Sequence, residues 1–142
     1  MPSFRPILPL LMLPLLAACV DDRVAYEGEA NQIITVIREQ KWFWDKSVEV
    51  SLVVARMPDC MRRHALGNFS AGDKIELWQY RDDTFTLRVG GRMFATETRT
   101  CEGLEKLKDE PPGGKGTPLG AFADKGGKFA FVAAAPLKPA AR

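Results

Sequence analysis

One histidine, two tyrosines and three cysteines among 142 residues leave little material for several common chemistries. His64 cannot make a zinc site without further soft ligands, so no metal and no cofactor are expected. The cysteines show no Cys-x-x-Cys spacing, which argues against a redox-active dithiol. There is no Gly-x-Ser-x-Gly, the pattern of a nucleophile elbow. Carboxylates such as Asp59, Asp73, Glu97 and Glu102 form no pair that stands out for acid–base work. The glycines of "PPGGKGTP" lack the spacing of a phosphate loop. A dominant charge is lacking too: Lys and Arg number 20 against 18 Asp and Glu, a balance that argues against nucleic acid as a partner. No solenoid-type repeat is present. The longest apolar run, Ile7 to Leu16, is shorter than the roughly 20 residues a membrane helix needs, and Pro9 and Pro14 interrupt it.

That run has another reading. A short basic start with Arg5, a short apolar middle and small residues at its exit make the pattern of a cleavable secretory signal. The exit is Leu16-Ala17-Ala18-Cys19, followed by Val20. These four residues resemble the lipobox of bacterial lipoproteins. The resemblance implies transfer of diacylglycerol to the Cys19 thiol, cleavage before Cys19 and acylation of the new amino terminus. Two or more acyl chains anchor a protein stably, at about 0.8 kcal/mol per buried methylene, without a spanning segment. The expectation is a mature protein in the cell envelope, facing the periplasm and held to a membrane by lipid on Cys19. Val20 in place of Asp favours the outer membrane over the inner, by analogy with enteric bacteria.

The expected organisation is a signal peptide at 1–18, a lipidated tether at 19–31, a β domain at 32–134 and a flexible tail at 135–142. With Cys19 assigned to lipid, Cys60 and Cys101 remain as a pair. In an oxidising compartment such a pair normally closes, and two buried free thiols are the alternative. Residues 20–31 show no sustained period. "QIITVIREQ" is rich in β-branched residues, and in "KSVEVSLVVARM" Val48, Val50, Leu52 and Val54 make one apolar face. Gly90-Gly91 suits a two-residue hairpin turn that sets Val89 opposite Arg92, Leu87 opposite Phe94 and Phe85 opposite Thr96. Gly126-Gly127 does the same for Phe122 with Phe131 and Asp124 with Phe129. A plain two-residue turn at Asp82-Asp83 would put Ile75 and Leu77 on the wrong face, so the register there stays open. Leu104 and Leu107 suit one helical turn, ahead of a Pro/Gly loop. The fold class is therefore all-β, with about seven strands and little helix, as a single small antiparallel sheet curled into a barrel or sandwich.

Two stretches are candidate binding sites. Arg62, Arg63 and His64 would make a cationic spot for a phosphate, a carboxylate or an acidic partner, or simply a solvated strand end with ordinary ion pairs. Trp42 and Trp44 bracket Phe43; exposed, they would suit an envelope protein, a glycan or a membrane interface. Residues of that kind more often fold over the open end of a sheet and plug its core. The function expected is a non-enzymatic binding or structural module. In outline it is similar to the periplasmic inhibitors of C-type lysozyme, small lipid-anchored β-barrels with one disulfide. That likeness is of architecture, the inhibitors' serine-containing recognition loop has no counterpart, and it carries no residues over. An envelope hydrolase is the competing class, requiring His64 to meet a nucleophile or carboxylate in a cleft.

Overall fold

A computed structural model describes residues 19–135. The signal peptide at 1–18 and all of the expected tail beyond residue 135 lie outside the described residues.

Ten strands form two antiparallel sheets. The first holds β1 (Asp21–Glu27), β2 (Gln32–Glu39), β3 (Ser47–Arg56) and β4 (Cys60–Ser70) in that order. A 3-10 turn, Glu29–Asn31, joins β1 to β2. The second sheet comprises β5 (Ile75–Arg81), β6 (Thr84–Val89), β7 (Arg92–Glu97), β8 (Leu104–Leu107), β9 (Thr117–Lys125) and β10 (Lys128–Ala133). Its spatial order is β10-β9-β5-β6-β7-β8. The sheets face each other as a sandwich and do not close into one barrel.

Alternation of side chains along each strand builds the core. Ile34 and Val36 from β2, Val48 to Val54 at every second position of β3, and Leu66 and Phe69 from β4 point inward. They meet Ile75, Leu77, Phe85, Leu87, Val89, Phe94, Phe122 and Phe129 of the other sheet, every one of these residues being buried. Each such side chain is worth about 1.5–3 kcal/mol relative to exposure.

Both glycine hairpins have the pairing that their turns predict. Val89 faces Arg92, Leu87 faces Phe94 and Phe85 faces Thr96; Phe122 faces Phe131 and Asp124 faces Phe129. Gly90 and Gly91 have φ of 55° and 75°, the left-handed conformation that such a turn requires at both positions. The phase conflict at Asp82-Asp83 is resolved by a bulge between Gln79 and Arg81. The extra residue lets Leu77 pair with Leu87 and Ile75 with Val89, so all four are buried inward.

Three segments differ from the sequence expectation. Residues 21–27, within the expected tether, form β1, whose every residue pairs with β2. Leu104 to Leu107 is not a helical turn but the short edge strand β8, paired with β7. Residues 60–70 form a full strand, β4, where only a strand end was expected around Arg62 to His64.

Candidate functional site

The strand registers give the sandwich two chemically distinct ends. At one end the polar side chain of Gln32 enters the sandwich and donates to the Asp82 carbonyl (2.8 Å) and the Thr98 hydroxyl (2.9 Å). The Cys60–Cys101 disulfide closes the same end, joining β4 to the loop after β7 and so stapling sheet to sheet. Glu97 organises that loop. Partial burial would raise its pKa, but the Thr100 hydroxyl and the backbone N–H groups of Thr100, Gly103 and Arg99 outweigh it and bring the carboxyl down to about 2.

Arg62, Arg63 and His64 lie on β4 towards this disulfide end. His64 Nε2 is 2.7 Å from the Cys101 carbonyl, so the imidazole is engaged with the main chain. Arg62 lies 3.9 Å from Glu102, with both side chains exposed. Arg63 points to the opposite face of the strand, where it reaches Glu39 (3.3 Å) and the Ser51 hydroxyl (3.2 Å). The trio does not converge, and it does not meet the tryptophans.

Trp42 and Trp44 sit at the other end, in the β2–β3 connection. They do not plug the core: Trp42, Phe43 and Trp44 are 54%, 61% and 65% exposed. The physical reason is that the inward positions flanking this loop are already filled, by Arg38 and Val48. The indoles stack with centroids 5.2 Å apart, and Phe43 meets Trp44 edge-on at 4.8 Å. A backbone bond from Asp45 N to the Trp42 carbonyl (3.0 Å) turns the loop. Asp45 accepts from the backbone N–H of Ser47 (2.9 Å) and then from its hydroxyl (2.8 Å), and these bonds lower its pKa.

Cys19 is exposed at this same end, because β1 begins opposite the last residues of β2. Gln40 couples the two. Its backbone N–H donates to the Val20 carbonyl (2.8 Å), its side-chain oxygen accepts from the Val20 N–H (3.0 Å), and its side-chain amide donates to the Asp45 carbonyl. One residue thus fixes the neighbour of Cys19 and the aromatic turn together.

Beside Cys19 lies a depression of about 400 Å³ whose floor is Arg38. Arg38 is buried; it donates to the Ala71 carbonyl (2.8 Å) and to Asp22 (2.6 Å), lies 3.5 Å from Asp124, and stacks 3.7 Å above Phe129. It therefore bridges both sheets at the open seam between β1 and β10. Around this end lie the exposed lysines Lys41, Lys46, Lys125 and Lys128, none within ion-pair distance of an acid among the described residues.

Arg38 and the lysine rim escaped the sequence reading. Arg38 had a signal: it occupies the fourth inward position of β2, after Gln32, Ile34 and Val36. The lysines had none, since separate connections bring them together. Among the described residues no three His, Cys, Asp or Glu side chains group as metal ligands, and no helix is long and apolar enough to cross a membrane. In comparisons with family models, with curated proteins and with solved structures, none matches this chain.

Proposed function

We propose that this chain is a lipid-anchored protein of the bacterial cell envelope, exported and acylated on Cys19. Its β sandwich serves as a non-enzymatic binding or structural module on the periplasmic face of a membrane, the outer one by preference. The observation that carries the reading is Leu16-Ala17-Ala18-Cys19, whose final thiol is exposed and unpaired. The Cys60–Cys101 bond supports export, because disulfides persist outside the reducing cytoplasm. His64 supports a non-catalytic role, since its Nε2 faces a main-chain carbonyl and not a nucleophile or a carboxylate.

Metabolic labelling with a clickable fatty acid tests the anchor. The wild-type chain is expected to carry label and to fractionate with membranes, and Cys19→Ser to lose the label and to retain its leader. A wild-type protein that stays unlabelled, with a normally processed Cys19→Ser form, overturns the proposal.

A further inference from the structure

We infer that the Trp42-Phe43-Trp44 turn is a second membrane contact, seated in the headgroup region of the bilayer that holds Cys19. The inference rests on the lipid-anchor reading, and three observations carry it further.

The first is placement. Gln40 locks the aromatic turn to Val20, the residue next to the acylated position, through three hydrogen bonds. The second is reach. Strand β1 starts at Asp21, so only Val20 separates Cys19 from the folded domain. At about 3.3–3.6 Å per extended residue, that link cannot lift this end of the sandwich clear of the headgroups.

The third is chemistry. Three large aromatics, each more than half exposed, stack on one another and not on the core. Tryptophan concentrates at membrane interfaces because its ring is apolar while its N–H still finds water or headgroup partners.

The test uses the mature protein purified from membranes and reconstituted into phosphatidylethanolamine–phosphatidylglycerol vesicles. Part of the lipid carries bromine near the headgroup end of its chains, which quenches nearby tryptophan. Mass spectrometry of the amino-terminal peptide reports acylation in the same sample. Trp42→Ser/Trp44→Ser leaves Trp78, which packs near Lys115 and Arg88 on the second sheet. Wild-type emission is expected to lose most of its Trp42 and Trp44 component to brominated lipid, and the variant's Trp78 emission to be unaffected. Should that variant fail to fold, Trp42→Phe/Trp44→Phe gives the same comparison. Quenching no greater in wild type than in the variant, on a chain bearing its acyl mass, overturns the second contact and leaves the anchor standing. An unacylated Cys19 overturns the anchor, and the second contact with it.

Discussion

Replacing Arg38 by alanine probes the seam that closes the Cys19 end. The guanidinium makes a charge-assisted hydrogen bond to Asp22, another to the Ala71 carbonyl, and a stack on Phe129. Breaking a fully buried ion pair costs about 3–5 kcal/mol. That value is an upper bound here, because the Asp22 and Asp124 side chains are 32% and 54% exposed and would rehydrate. The Ala71 carbonyl would lose a bond to a charged donor, worth about 1.5–3 kcal/mol. Phe129 would lose a cation–π contact worth about 0.5–2 kcal/mol. One term opposes these: Arg38 Nε is buried with no acceptor, so its removal relieves a desolvation penalty of about 1–3 kcal/mol. The balance is a destabilisation of about 2–3 kcal/mol. Arg38→Met keeps the apolar stem while removing both the charge and the orphan Nε, and its expected cost is about 1 kcal/mol. Urea unfolding of the domain with Cys19→Ser, its disulfide intact and its m-values equal, measures both. A loss below about 0.5 kcal/mol for Arg38→Ala, or a methionine variant worse than alanine, refutes the account of Arg38 as a charged clamp.

Other parts of the molecule make sharper but narrower predictions. Cys60→Ala/Cys101→Ala releases a constraint across 41 residues, and the loop-entropy relation gives a loss of about 4 kcal/mol in urea unfolding. A loss under about 1 kcal/mol would mean that the unfolded chain is already held compact. The pKa of Glu97 is depressed to about 2, so its contribution is present above the unfolded value near 4.5 and is lost as pH falls towards 2. After screening, on the order of 1 kcal/mol should separate wild type from Glu97→Gln at neutral pH. The two stabilities should converge as pH falls from 4.5 towards 2, and a pH-independent difference would count against the assignment. Gly120 has φ of 149°, and a Cβ there would run into the Val132 carbonyl across the β9–β10 pair. Gly120→Ala should therefore cost more than about 2 kcal/mol and expose the β10 amides to hydrogen exchange, whereas Gly72→Ala, with open space around it, should change little.

Legibility of the fold from sequence followed from how locally each feature is encoded. The Gly90-Gly91 and Gly126-Gly127 hairpins were readable residue by residue, because a two-residue turn needing positive φ fixes the register of both strands. The Asp82-Asp83 hairpin was half readable. Its hydrophobic phase demanded an extra residue, and only the three-dimensional pairing locates the bulge between Gln79 and Arg81. Strands β1 and β8 were hidden because they are edge strands, whose exposed faces need no apolar alternation. In β4, Arg62 and His64 share a face with Leu52 and Val54 but lie at the open disulfide end, Arg62 exposed, and break the apolar pattern, although Leu66 and Phe69 further along enter the core. At the candidate site, the Cys60–Cys101 bond was legible as the pair left once Cys19 is set aside. The exposure of Trp42 and Trp44 was not, since it depends on whether Arg38 or an indole closes the seam. A one-dimensional pattern does not decide between two such plugs.

That choice of plug bears on how the domain would meet a membrane. A buried Arg38 frees the aromatics to face outward, and the short link through Val20 would keep them at the surface to which an acylated Cys19 is held. Lengthening the link isolates this effect. Ten Gly/Ser residues inserted between Cys19 and Val20 would extend the root-mean-square reach to roughly 17 Å. Acylation of Cys19 should be unchanged, while quenching of Trp42 and Trp44 by brominated lipid should fall. Quenching equal to that of the parent protein would show that the turn holds lipid by its own affinity. The close coupling of Cys19 to the sandwich would then contribute nothing to the contact.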